Sequence, residues 1–499
     1  METMIFSPPP LVVNLVSEHL LLLFSILIFA AVLVTKVGSR YGVPSLLLFL
    51  LLGMVAGEDV LGVRFDDFEL AENIGHFAMT IILFTAGLET SFKETRPVVR
   101  QGALLSTAGV LLTILFSGVF IWLVSEEAIP VSMSLTGCFL LAAVMGSTDS
   151  ASVFSVLRSK KLHLRENLGP MLEMESGSND PMAYILTIVL TQLMTESPGS
   201  LGAGKLVMTG FGLVFLQIVV GAGVGFGVGY AGRWILGRLH LASSPLYAIL
   251  ILSLGYFANG VAGLLMGNGL LALYVTAIMI GNRADIPHRK EILNFFNGMT
   301  WLMQLVMFLM LGLLARPSKM LPMLVPALVI GLFMIFVSRP ASVFLCLLPF
   351  RGLSTRAKLF TSWVGLKGAG PILFALCPVV AGLEGADDMF NMVFLITLIS
   401  LLLQGMTLSP VARMLRLSYE EDPQVETFGM EIPEEMGMLR DHTVTEEDLK
   451  KGPTLRDLGL PHGIRVMMVR RGDSYLVPHG SMPLEVGDRL VIIMGDSDD

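Results

Sequence analysis

Gly146-Ser147-Thr148-Asp149-Ser150-Ala151-Ser152 interrupts an apolar stretch with a glycine, four hydroxyls and a carboxylate. Gly365-Leu366-Lys367-Gly368-Ala369-Gly370-Pro371 interrupts another with three glycines, a proline and an ammonium. Glycine and proline weaken a helix interior. A span of about 20 apolar residues crosses a hydrocarbon core about 30 Å thick, and charge at that depth is costly enough to mark a site. These two stretches decide how the rest of the chain is read.

Outward from them, apolar stretches recur from Leu20 to about Arg413, in a chain of 499 residues that is 54% hydrophobic and 15% charged. About thirteen spans are expected, centred near residues 27, 49, 81, 113, 145, 181, 219, 253, 274, 306, 334, 367 and 401. If the seventh is a linker, spans one to six and eight to thirteen form two halves, and both interrupted segments are fifth in their half. Odd spacing inverts one half relative to the other. Interrupted helices at matching positions of two repeats point to a transporter's midplane site. The expected fold class is therefore an α-helical polytopic membrane protein with two inverted six-helix repeats, its transmembrane domain covering residues 1–417.

Loop charges test that count independently. One alternate set holds Lys36, Arg40, Lys93, Arg96, Arg100, Arg158, Lys160, Lys161 and Arg165. It continues with Arg233, Arg238, Arg283, Arg289, Lys290, Arg351, Arg356, Lys358, Arg413 and Arg416. The other set holds Arg64, Lys205, Arg316 and Lys319, which makes 19 against 4. Lys and Arg gather on the cytoplasmic side, so the N-terminus is expected outside and the C-terminus inside. Met1 to Asn14 carries Glu2 and a Pro8-Pro9-Pro10 run without a basic region, and is not expected to be a cleaved signal peptide.

Residues 418–499 are polar, begin with a strongly acidic linker and suit one small α+β domain. An amphipathic helix is expected around Val444 to Lys450, and strands over Ile464 to Arg470 and Arg489 to Met494. The formal charge of −8 lies mostly in this tail and argues against a nucleic-acid partner. Cys138, Cys346 and Cys377 sit in apolar segments and read as buried soft hydrophobes, with no disulfide framework or metal spacing.

Inside the spans the ionisable residues are few: Asp149, Glu173, Glu175, Asp180, Arg339 and Lys367. Glu173 reads as interfacial and Arg339 as a snorkelling side chain. An alkali cation wants several oxygens. An unwound helix offers carbonyls, and Thr148, Asp149, Ser176 and Asp180 offer side-chain oxygens. Ser176 and Asp180 are four apart and share a helix face, with Glu175 and Asn179 on the neighbouring one. A carboxylate out of water favours its neutral form, so Asp180 is expected to hold a proton and release it when a cation arrives. Such competition suffices for exchange. Lys367 needs a partner at its depth, and Glu175 is the expected one.

Thr148-Asp149, Glu175-Ser176-x-x-Asn179-Asp180 and Gly365-Leu366-Lys367-Gly368-Ala369 together resemble signatures of the monovalent cation:proton antiporter superfamily. The NhaP-like branch (NhaP/CvrA type) is the best match, and Leu83-Phe84-Thr85-Ala86-Gly87-Leu88-Glu89 resembles its third-span motif. The resemblance covers about residues 18 to 415. Leu455-Arg-Asp-Leu-Gly-Leu-Pro461, with Arg470-Arg-Gly472, Pro478 and Gly487-Asp488, resembles a TrkA-C (RCK C-terminal) domain, an arrangement similar to bacterial potassium/proton antiporters. The resemblance implies discontinuous crossed helices, a homodimer in the cell inner membrane and elevator-type alternating access. It implies ion and proton at Asp180, ligation of the alkali cation (K+, or Na+) by Asp149, Thr148 and Ser176, and a bracing role for Asn179. An Asn before the key Asp resembles the electroneutral class. Two residues depart from the pattern: Ser150 stands where many relatives have Pro, and Lys367 where many have Arg, whose bidentate fork lysine lacks. TrkA-C domains of relatives bind small ligands, often nucleotides, so a regulatory nucleotide is the one cofactor-like ligand implied; the Gly-rich dinucleotide fingerprint is absent from the tail.

The alternatives are a potassium channel or channel-like uptake protein, and an intramembrane aspartyl protease. The first needs a carbonyl filter such as Thr-Val-Gly-Tyr-Gly, which the sequence lacks. The second resembles Gly-x-Gly-Asp, and Gly368-Ala-Gly-Pro371 lacks the acid. No enzyme activity is expected.

Overall fold

The computed structural model describes residues 22, 24–36, 38, 43–125, 133–160, 162–196, 203–241, 243–282, 286, 288–350, 352–420, 439–450, 452–460, 464–471 and 474–494. The Met1 to Asn14 stretch, Arg40, Lys161, Arg283 and Arg351 of the basic loops, Pro461 and Gly472, and linker residues 421–438 lie outside them. The chain divides into two compact units, Met1–Tyr419 and Glu420–Asp499.

The first unit is helical. Among the described residues seven helical stretches are long and apolar enough to cross a membrane, and five shorter apolar helices accompany them. Every one of the expected centres falls on one of these, on Leu168–Glu196, or on a break between two helices. The remaining difference has physical causes. Leu168–Glu196 is 29 residues long but carries Glu173, Glu175 and Asp180. Near residues 145 and 367 the chain leaves helical geometry, so those spans are each split, between Leu135–Val144 and Ser150–Ser159 and between Thr355–Trp363 and Ala369–Phe374.

Matching irregularities occur elsewhere in the two halves. Val99–Ser125 and Pro317–Leu347 are the fourth stretch of each half, and each contains one π-helical turn, Leu105–Gly109 and Met334–Ser338. Such turns shift the phase of everything after them. The two stretches meet through Ser117 Oγ and Ser338 Oγ at 2.8 Å, and Ser338 also donates to the Thr113 carbonyl at 3.0 Å. Ser45–Ala56 packs backbone to backbone on Arg289–Leu314: a Cβ at Gly53 would lie 2.8 Å from Gly312 Cα, and the reverse holds. Small residues permit this approach between helices in lipid. Large apolar side chains such as Phe211, Phe215 and Leu264 remain exposed, as a bilayer-facing surface requires.

The second unit contains a four-stranded antiparallel sheet, in the order Leu439–Thr443, Arg489–Met494, Ile464–Arg471, Ser474–Leu476. A bulge shifts the register between Val466 and Met468. Val444, Leu458, Val469, Leu484 and Leu490 form its core. The two expected strands are present; the expected helix shortens to Glu446–Leu449. Its first turn is closed by Asp448, whose carboxylate accepts from the Thr445 N–H at 2.9 Å and hydroxyl at 2.8 Å. Asp488 is buried, which pushes its carboxyl up. The forked bonds from Arg471 at 2.9 and 2.7 Å and the Glu485 N–H outweigh that and hold it below the ordinary carboxylate range.

Candidate functional site

The first break is built from its own side chains. Leu135–Val144 ends in a tight turn, with the Gly146 N–H donating to the Ala143 carbonyl at 2.8 Å. Five residues on, Asp149 restarts a helix by capping it: its carboxylate accepts from the Ser152 N–H at 3.0 Å and from the Ser152 hydroxyl. The second break lies against the first, with the Asp149 N–H donating to the Leu366 carbonyl at 2.8 Å. That contact needs Gly368, because a Cβ there would lie 2.6 Å from Asp149 Cβ and 2.7 Å from its Cγ.

Leu168–Glu196 supplies the braces. Asn179, fully buried, donates to Thr148 Oγ1 at 2.5 Å and accepts from the Thr148 N–H at 3.4 Å. Ser176 donates to the Thr148 carbonyl at 2.7 Å and accepts from the Ser150 N–H at 3.0 Å. Its hydroxyl is thus spent on the backbone of the break. Ser147 is the hydroxyl that reaches Asp180, donating to Oδ1. Ser147 was not among the expected site residues, although it lies in the decisive stretch; only the turn of the unwound chain shows that it points at Asp180 and that Ser176 does not.

The expected Glu175–Lys367 pair is corrected. Glu175 pairs with Arg339, both buried at 1% and 6% exposure. Arg339 therefore does not snorkel. The Met334–Ser338 π turn immediately before it re-aims the guanidinium from lipid to protein interior, where its fork suits a carboxylate better than an ammonium does. Lys367 instead donates to the Met145 carbonyl at 2.5 Å and the Ser147 carbonyl at 2.9 Å. Those carbonyls stand at the negative end of the Leu135–Val144 half-helix, where an ammonium with three rotatable donors finds its best partners.

Asp149, Asp180, Ser147 and Thr148 line one cavity, with Ala369 and Gly370 of the second break opposite. A second cavity, lined by Glu89, Glu173 and Thr300 among others, shares Ile82 and Gln304 with the first. Glu173 is exposed and lines this outer cavity. The structure thus brings Asp180, Asp149 and Thr148 to one space, and leaves Ser176, Asn179, Glu175 and Lys367 behind it as supports.

Two discontinuous helices crossing beside a pair of half-buried carboxylates, in a polytopic helical bundle, define a secondary cation transporter. Residues 24–414 match the family described as sodium/hydrogen exchanger, transmembrane, and residues 439–498 match the TrkA-C domain. The K(+)/H(+) antiporter NhaP2 of Shewanella baltica is 37% identical over 479 residues, 95% of this chain and 80% of that protein. The K(+)/H(+) antiporter NhaP of Alkalimonas amylolytica is 35% identical over 478 residues, again 95% and 80%. The solved sodium proton antiporter MjNhaP1 of Methanocaldococcus jannaschii matches with a TM-score of 0.66 at 24% identity, covering 79% of this chain and 99% of that one. The chain belongs to the sodium/hydrogen exchanger family, as an NhaP-type cation:proton antiporter with a C-terminal TrkA-C domain.

Proposed function

We propose that the chain exchanges K+ for H+ one for one, with Asp180 carrying each in turn and Asp149, Thr148 and Ser147 completing the cation's oxygen shell. The observation that carries this reading is the cavity that Asp180 and Asp149 share between the crossed breaks. The charges around it explain the stoichiometry. Arg339 and Glu175 neutralise each other. Lys367 offsets one of the two aspartates, leaving a net charge of −1 that a single proton or a single monovalent cation cancels. A low-dielectric site tolerates either neutral state far better than the bare charge, so the barrier to reorientation is lowest when one substrate is aboard.

K+ is favoured over Na+ by the names of the relatives at 37% and 35% identity. The inner-membrane location with the tail inside rests on the loop charges. A homodimer, elevator-type movement and regulation through the TrkA-C domain rest on the family resemblance.

Proton flux in liposomes carrying a pH dye tests the reading, with K+, Na+, Rb+ or Li+ added in turn. K+ is expected to dissipate the gradient equally with and without a potential clamp, and Asp180→Asn to lose at least 100-fold in rate. Exchange by Asp180→Asn at the wild-type rate would remove Asp180 as carrier; a clamp-sensitive rate would remove the one-for-one count.

A further inference from the structure

Gln304 lies on Arg289–Leu314, outside the two breaks, and is only 8% exposed. It lines both the aspartate cavity and the outer cavity of Glu89 and Glu173, a position it shares with Ile82. Asn297, Thr300 and Gln304 follow one another at three- and four-residue spacing, so they form a polar strip along one helix face. The strip ends at Gln304, since Met307 and Phe308 continue the cavity wall as apolar side chains.

Thr300 is satisfied within the protein, donating to Thr85 Oγ1 at 2.9 Å. Among the described residues the Gln304 amide makes no hydrogen bond to protein. The amide is not among the fully enclosed polar atoms that lack a partner, so the small exposed part of the side chain opens to the cavities it lines. It is therefore placed to meet what passes through them. Its carbonyl oxygen is a hard, neutral ligand of the kind that replaces water around an alkali cation.

We propose that Gln304 is a specificity-determining cation ligand at the junction of the two cavities, replacing one water of hydration as the ion passes from the outer cavity to Asp180. This rests on the reading of Asp180 as carrier. Being neutral, Gln304 leaves the net charge of −1 untouched, so it sets cation affinity and selectivity without changing what the proton does. Its second function is to narrow the choice among cations before they reach the carboxylates, which bind any of them electrostatically.

The test uses full-length protein in liposomes, comparing wild type, Gln304→Met, Gln304→Glu and Asp180→Asn for K+ and Na+. Gln304→Met is expected to raise the half-saturating K+ concentration about tenfold and to change the K+:Na+ ratio, with the rate at saturating cation within about twofold of wild type. Gln304→Glu keeps an oxygen at the same reach, and its half-saturating K+ is expected to lie closer to wild type. A folded Gln304→Met with unchanged half-saturation and ratio overturns the proposal, as does a fall in maximal rate alone. If the Met variant does not fold, the K+:Na+ ratio of Gln304→Glu decides, because a carboxylate ligand must alter it. A silent Asp180→Asn beside an unaffected Gln304→Met sinks only Gln304; an active Asp180→Asn sinks the carrier reading beneath it.

Discussion

The break around Thr148 and the break around Lys367 sit fifth in their halves and touch through the Asp149 N–H and the Leu366 carbonyl, yet they are held differently. The first is braced from outside itself: Asn179 and Ser176 of Leu168–Glu196 hold both sides of Thr148. The second is held at Lys367, whose backbone N–H donates to Ser400 Oγ at 2.9 Å while its ammonium reaches across to the carbonyls of the first. One break presents an acid to the cavity and the other presents Ala369 and Gly370. Repetition of the fold thus yields a single binding site, because the partner of each unwound segment is a different kind of group. A fixed ammonium on one break ties down the carbonyls of the other, while the acid of the first break and Asp180 of Leu168–Glu196 face the cavity.

The most severe way to break this relation is Gly368→Ala. A Cβ 2.6 Å from Asp149 Cβ is closer than packed carbons approach, and both atoms belong to segments pinned by hydrogen bonds. Exchange is expected to fall below detection, with the thermal midpoint in detergent lowered. Wild-type transport by this variant would mean that the two breaks do not cross as described.

Next in size is the tie between the breaks and the rest of the bundle. The Arg339 guanidinium lies against the second break, where a Cβ at Gly365 would be 2.9 Å from its Nε, and it pairs with Glu175, four residues before Asn179. Glu175→Gln leaves that cation buried and unpaired, and a cost of about 3–5 kcal/mol is expected. Glu175→Leu combined with Arg339→Met removes both charges and is expected to recover most of it, since buried pairs are often replaceable by apolar residues of similar volume. A thermal melt of single and double variants checks this. Equal loss in both would show that the pair is needed for more than charge balance.

The difference between these contacts and the ones expected shows what a sequence carries. The breaks were legible because glycine, hydroxyls and charge in an apolar stretch have no other economical explanation, and Asp149 and Asp180 followed from the cost of burying a carboxylate. The tail strands were legible from β-branched and methionine-rich runs between turns. The partner of Glu175 was not. Depth in a span says that a charge needs a partner without saying which cation faces it, and Arg339 directly follows a π turn, which shifts the phase of the helix. Nor was the division of labour between Ser147 and Ser176 legible, since an unwound segment has no periodicity from which to read a direction.

The finest test compares one brace of each break. Asn179→Ala removes both bonds to Thr148, and Ser400→Ala removes the acceptor of the Lys367 N–H together with its own bond to Gln404 Oε1 at 2.5 Å. Each deletes two buried hydrogen bonds, so losses of about 1–3 kcal/mol are expected for both, and melting alone will not separate them. Transport should. Thr148 lines the cation cavity, whereas Ser400 lies behind the second break, among Thr113, Arg339 and Lys367. Asn179→Ala is therefore expected to raise the half-saturating cation concentration several-fold, and Ser400→Ala to leave it within about twofold. If the two variants shift half-saturation equally, the second break shapes the binding site as much as the first, and the asymmetry between them belongs to their bonding alone.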